Sequence, residues 1–484
     1  MQQRSHVLDQ LGAAVALLSR GHEVYMALGS TYPAPEVLER DTGVHVISYS
    51  VPGTEMTFFT EEFERFIAHN VFVSHDKFAE FDMEAKLIHQ DCTYMMEDER
   101  FISHVKALKF DLAVVDGFGL CPCTQILPHN LSIPYISMSA VLQPWLMRSP
   151  ALPSFIPIPG LLKVFYPMNF WDRIKSLICH VLAYNVLQLL PAARNRTLLD
   201  TYTQGPVAGW DELTKKSLLF VWEHDHHLDF PTPILPHTIL IPGLTTAPAK
   251  LIEGELGRIL DTAGGRNGIV LVSFGSTAHY MPVEIVTKFF QAFDGLPWIF
   301  IVKVAIPEGV SVPDNVIVRS WLPQNDILGH SKTKLFITHC GNNGQYEALY
   351  HAVPMIGMPF FAEQDHNCFR AAVKGFSLEM SVHDFTADQL RRNIIEVIEN
   401  PKYRDIIRKA SQIWHEEPMT PRQKVTFWVE HVLKYGGGHL RSYAMDMSLL
   451  EFWMIDIICF LAAAVIVGFF VSKWMLNWAA TRFR

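Results

Sequence analysis

The stretch WLPQNDILGHSKTKLFITHCGNNGQYEALYHAVPMIGMPFFAEQ, residues 321–364, decides how this chain is read. An aromatic ring, Trp321, stands beside an amide, Gln324, and the apolar run Leu335–Thr338 reads as a short strand into His339, Gly341, Asn343 and Gly344. A helix is expected next, with Glu347 in its first turn. Glycines let backbone N–H groups approach a phosphate, and the start of a helix favours negative charge there. His339 and Asn343 add side-chain donors for the same oxygens. Trp321 offers a face for a nucleobase, and Glu347 can accept two hydroxyls of a ribose. Glu363 and Gln364, after a second strand, suit the hydroxyls of a sugar. A strand, a glycine turn and a helix are common to many α/β domains; it is the whole string that carries the information.

That string closely resembles the donor-binding signature of UDP-glycosyltransferases, in which Trp, Gln, His, Asn, Glu and a closing acidic-Gln pair recur at these spacings. The resemblance implies that Trp321 and Gln324 face uracil, His339 and Asn343 the diphosphate, Glu347 the ribose, and Glu363 with Gln364 the transferred sugar. Ser273-Phe-Gly-Ser276 reads as a second turn backing the phosphates, with Ser276 at its end. Two residues depart from the pattern: Cys340 stands where animal enzymes usually have Gly, and Glu363 replaces the usual Asp.

Working upstream, the chain opens with helical apolar spacing over residues 6–19, and Gly21 is placed to stop that helix. Strands are expected at Glu23–Leu28 and Val44–Tyr49. A doubly wound α/β unit ordinarily begins with a strand, and that strand is usually central. The expectation is therefore that a signal peptide and first strand are missing ahead of the helix. Membrane-bound UDP-glycosyltransferases open with such a strand, then Ser-His, a helix, and Arg-Gly-His-Glu-Val; Ser5-His6 and Arg20–Val24 match that order. Phe110–Val115, ending in Asp116, and Pro134–Met138 read as further strands. The resemblance gives His6 the part of general base and Asp116 the part of its partner, a pairing suited to drawing a proton from a hydroxyl.

The implied fold is α/β with two Rossmann-like domains facing a cleft, the GT-B arrangement, and a C-terminal transmembrane helix. Its expected divisions are an acceptor domain over 1–235, a linker over 236–250, a UDP-sugar domain over 251–400, and helices over 401–448 that return to the first domain. From Met454 to Val471 run 18 residues with a single charge, Asp456, flanked by Trp453 and Trp474. That suits a tilted span over 452–472 with interfacial aromatics. Lys473, Arg482 and Arg484 then place the tail, 473–484, in the cytoplasm and the body in the lumen of the endoplasmic reticulum. The sequons Asn130-Leu-Ser and Asn195-Arg-Thr are compatible with this.

Composition narrows the partners. The net charge is −9 without basic runs, which argues against nucleic acid. Seven cysteines show no disulfide framework and no repeated CxxC pair, and most read as buried thiols. His224-Asp-His-His227 has the composition of a metal cluster, but consecutive ligands do not fit one strand or helix face. No Asp-x-Asp metal motif is present, and no cofactor is expected beyond the UDP-sugar donor. Residues 170–190 read as a helix packed on something apolar, either the core or a membrane surface. A lipophilic small-molecule acceptor and the membrane are the other expected partners, and a homo-oligomer is compatible with the chain. In the family, glucuronate users are thought to need a basic residue just before the segment matching Leu228–Pro231. Here that region is Trp222-Glu-His-Asp225, acidic on balance, which favours UDP-glucose over UDP-glucuronate. A nucleotide-sugar epimerase or a non-catalytic relative that binds UDP-sugar or lipophiles are the competing readings; intact His6 and Asp116 argue against the second.

Overall fold

A computed structural model describes residues 4–482 except 54, 118–122, 140–145, 158–161, 164–166, 186–188, 208, 263–267, 276–279 and 362. Among the described residues, twelve strands form three all-parallel sheets. In the second half, β7 (Ile269–Ser273), β8 (Ile299–Lys303), β9 (Val316–Arg319), β10 (Thr333–Thr338), β11 (Met355–Gly357) and β12 (Ser377–Glu379) pair in the order β12-β11-β10-β7-β8-β9. Strands such as IVLVS and IFIVK are apolar almost throughout because helices cover both faces of a parallel sheet. Val270 and Val272 face one core; Ile269 and Leu271 face the other.

The first half carries β1 (Tyr25–Gly29) paired with β2 (His45–Tyr49), and β3 (Ala113–Asp116), β4 (Tyr135–Ser139), β5 (Phe220–Trp222) and β6 (Thr238–Leu240) in sequence order. Among the described residues, β1 pairs with β2 alone and β3 with β4 alone. Between these strands lies a cavity of about 460 Å³, walled by Met26 and Leu28 of β1, Val114 and Asp116 of β3, and Val7 and Leu17 of the first helix, Arg4–Leu18. The helix spans both sheets.

Helix Pro421–Tyr435 packs on the first helix, burying Val425, Val429 and Val432 against Ala13, Ala16 and Leu17. Its N-terminus is a reciprocal capping box, Thr420 with Gln423. At helix Ala387–Glu399, where a capping box is expected from Thr386 and Gln389, Thr386 accepts from the Gln389 N–H and only this arm is present among the described contacts. Helix Ile455–Arg482 is wholly exposed and long and apolar enough to cross a membrane; it runs about 42 Å at 1.5 Å per residue. The tail expected from 473 onward thus continues the helix to Arg482.

Three expectations change. The cysteines are not all free thiols: Cys92–Cys123 and Cys340–Cys368 are disulfides, joined across 31 and 28 residues of sequence that the fold brings together. Asn130 is not a free glycosylation acceptor, since its side chain donates to Tyr202 O at 2.7 Å and accepts from Gln204 N at 2.9 Å. Helix Phe170–Asn185 turns Ser176 and His180 inward and leaves Phe170, Trp171, Leu177, Ile178 and Leu182 exposed, so its apolar face is not core.

Candidate active site

His6 lies in the first turn of the first helix, and Asp116 ends β3. Their side chains meet at 2.8 Å, Nδ1 to Oδ2, and both are nearly buried. Burial disfavours a charged imidazole, but the Asp116 charge and hydrogen bond outweigh it, and Asp9 adds to them. His6 is held above the ordinary imidazole value. The backbone O of Asp116 accepts from Thr124 Oγ1 at 3.1 Å, which ties the end of β3 to helix Cys123–Asn130.

Across the cleft, β10 delivers His339, and Gly341 is the N-cap of helix Asn342–Tyr350. Glu347 is therefore in the second turn of that helix, one turn later than the sequence suggests. Asn343 and Gly344 occupy the first turn, where unpaired N–H groups point toward the cleft. The His339 ring lies between two glycines: a Cβ at Gly275 would come within 2.7 Å of its Nε2, and one at Gly341 within 2.6 Å. Its buried Nδ1 has no hydrogen-bond partner among the described residues. Burial first, then the nearby Lys303 charge, pushes its pKa down to about 4, so it is a neutral donor at physiological pH. Lys303, at the end of β8, donates to Gly275 O at 2.9 Å and brings the cation nearest this loop. The Cys340–Cys368 disulfide ties the loop to helix Gln364–Val373, with Cys340 at φ 65°.

Gln324 and Glu347 form one unit, Nε2 donating to Oε2 at 2.7 Å. Burial pushes Glu347 up to about 7, against the pull of that bond. Gly344 keeps the two close, because a Cβ there would sit 3.3 Å from Gln324 Nε2. Trp321, three residues before Gln324, is 62% exposed, a large ring left open beside the pair. Gln364 is buried, its Oε1 accepting from the N–H of Phe360 and Phe361 at 3.0 and 3.3 Å. One half of its amide thus holds the preceding loop, and only the NH₂ remains for a ligand. Glu363 stands half-buried as the N-cap of the same helix. Ser276 lies outside the described residues.

Sequence reasoning missed three groups. Asp9 sits three residues after His6, on the same helical face; it is buried, and it faces the Asn343 amide across the cleft. Burial pushes it up to about 7. The i+3 spacing was the available signal. Glu223, just after β5, is buried with both carboxylate oxygens unpartnered among the described residues, and burial, then Asp9 and Asp116, hold it well above the carboxylate range. Lys303 carries no motif. The 224–227 histidines form no metal cluster among the described residues. His224 instead meets Asp229 at 3.0 Å, and Asp229 also pairs with Arg370 and, at 3.4 Å, His366. This buried knot fastens the segment after β5 to the donor-side helices, and Arg370 extends it to Asn342 Oδ1 at 2.7 Å.

The comparisons with known proteins agree with this geometry. Residues 1–483 match the family model "UDP-glucoronosyl and UDP-glucosyl transferase". UDP-glucuronosyltransferase 3A1 of Bos taurus is 29% identical over 94% of this chain and 88% of its own length. The 2-hydroxyacylsphingosine 1-beta-galactosyltransferase of Rattus norvegicus is 28% identical over 97% and 86%. Among solved structures, the kitacinnamycin glycosyltransferase superposes with a TM-score of 0.61 at 19% identity, over 90% of this chain and 96% of its own. The calicheamicin glycosyltransferase CalG4 gives 0.58 at 18%, again over 90% and 96%. These likenesses establish the GT-B glycosyltransferase fold. Matched by that model over residues 1–483, the chain is a glycosyltransferase of the UDP-glucoronosyl and UDP-glucosyl transferase family.

Proposed function

We propose that this enzyme transfers a neutral hexose, glucose before glucuronate, from its UDP-sugar to a hydroxyl of a lipophilic acceptor, with inversion and without a metal ion. His6 is placed to take the acceptor proton on Nε2 while Nδ1–H donates to Asp116, which stabilises the imidazolium that forms. The oxygen then attacks the anomeric carbon from the face opposite UDP, forming the new glycosidic bond as the bond to the β-phosphate oxygen breaks. Neutral His339, the helix N-terminus at Asn342, Asn343 and the Lys303 charge receive the negative charge on the departing diphosphate. We read the body as lumenal in the endoplasmic reticulum, held there by the helix Ile455–Arg482.

The choice of a neutral sugar rests on Glu223. Its buried, unpartnered carboxyl stands among Asp9 and Asp116, and Glu84 is pushed up to about 7 by burial and then by Glu363 and Glu80. A glucuronate carboxylate entering such surroundings finds no cation among these described groups, and its charge opposes that of any of these acids that ionises. The test compares kcat/KM for UDP-glucose and UDP-glucuronate in wild type and Glu223→Gln. A preference for glucose that narrows in the variant supports the reading; a wild-type preference for glucuronate refutes it.

A further inference from the structure

Helix Phe170–Asn185 is amphipathic in the inverted sense. Its inward side carries Ser176 and His180, both buried; the Ser176 hydroxyl donates to Ile156 O at 3.5 Å and His180 Nδ1 lies 2.8 Å from Ser176 O. Its outward side carries Phe170, Trp171, Leu177, Ile178 and Leu182, with Trp171 67% exposed. At 100° per residue these five fall on one arc. Lys175, on the border of that arc, pairs with Asp172 at 3.7 Å, and its flexible stem lets the ammonium rise toward water. A soluble surface seldom leaves so much contiguous apolar area open without a partner.

The position of the helix identifies the partner. Cys179, on its flank, packs with Leu146, Leu449 and Trp453 in one small cluster. Trp453 stands two residues before Ile455, where the exposed 28-residue apolar helix begins. The outward face of 170–185 is therefore beside the point where the chain leaves the body for the membrane.

We propose that helix Phe170–Asn185 lies in the headgroup layer of the bilayer that helix Ile455–Arg482 crosses, its apolar face toward the acyl chains. This rests on the reading of 455–482 as the span. The two contacts, one spanning and one lying flat, hold the His6 half of the enzyme against the surface where lipophilic acceptors concentrate.

The test uses the full chain in phosphatidylcholine nanodiscs. Cys121, Cys179 and Cys459, the cysteines outside the two disulfides, are replaced by Ala, and single nitroxide labels are placed by Ile178→Cys, Leu182→Cys, Ile466→Cys and Val283→Cys. Val283 is an exposed apolar position on the donor-side half, and calorimetric UDP binding verifies that each variant is folded. The expected result is labels at 178 and 182 open to oxygen but shielded from a water-soluble nickel complex, 466 deeper still, and 283 open to nickel. Labels at 178 and 182 as open to nickel as 283, with 466 protected, overturn the proposal and leave the span intact. Shielding of 178 and 182 from both quenchers marks a protein–protein contact and overturns it too. Nickel access at 466 removes the span, and the proposal falls with it.

Discussion

The Asn343 amide faces the Asp9 carboxyl and draws its pKa down against the upward push of burial, which sets the first helix of one half against helix Asn342–Tyr350 of the other. One turn before Asp9 on the first helix is His6, so the acid that faces Asn343 and the imidazole that meets Asp116 share a rigid element. This links their positions, and it makes the cleft sensitive to the charge on Asp9.

Burial holds the Asp9 proton to about pH 7, whereas the unfolded chain loses it near pH 4. Between those values the unfolded state binds fewer protons than the folded state, so stability falls as pH rises and levels off above 7. Asp9→Asn should flatten that decline in thermal unfolding followed from pH 4 to 8. It should also strengthen UDP binding at pH 8, by roughly 1 kcal/mol, because an ionised carboxylate no longer faces the diphosphate. At pH 5.5 the two proteins should bind UDP alike. A pH-independent difference in calorimetry would show that Asp9 stays charged throughout.

His6→Ala should lower transfer to aliphatic alcohols by about 10²–10⁴-fold while UDP still binds, since base and phosphate contacts lie on the other wall. Asp116→Asn should also slow transfer, and the double variant should be scarcely worse than His6→Ala because the pair acts as a unit. His6 must be neutral to accept a proton, so the wild-type rate rises with pH through a value above that of ordinary imidazole. Asp116→Asn removes the charge that raises it, moving this limb toward lower pH. Acidic phenols, which ionise unaided, should be far less affected by either change.

Trp321→Ala should weaken UDP binding by about 1–3 kcal/mol, the scale of base stacking on an aromatic ring. Gln324→Ala leaves Glu347 buried without its donor, raising its pKa further and weakening binding as well. Unchanged UDP affinity in both variants would move the nucleoside site elsewhere.

The facing edges of β1 and β3 predict how the first sheet responds to one more strand. An apolar segment of five residues, placed ahead of the first helix, would give a right-handed strand–helix–β1 crossover and fill the cavity between the two edges. The chain so extended should unfold at higher temperature and exchange its amides across Tyr25–Gly29 and Ala113–Asp116 more slowly. A polar segment of the same length should do neither. Protection that does not change at either edge would show that the slot does not take a strand, and a lipophilic ligand would then be its better occupant.

The sequence alone was enough for the architecture and for the strand, glycine turn and helix that follow one another from Thr333 to Tyr350. Those features depend on order along the chain: an apolar run of strand length, then Gly341 and Gly344, then a helix carrying Glu347. Residues so close in sequence meet through local backbone geometry, whatever packs around them. The 28-residue apolar helix is legible for the same reason, as its length and composition are linear properties. The His6–Asp116 contact bridges 110 residues, and only resemblance to a family joined the two before the fold did. Asp9, Glu223 and Lys303 stayed hidden because an isolated acid or lysine has no pattern; burial and neighbours from other strands make them part of the site. The disulfides, the engaged Asn130 and the outward apolar face of 170–185 were settled the same way. A helical pattern shows that one side is apolar, but which side meets the core depends on what the rest of the chain has already filled.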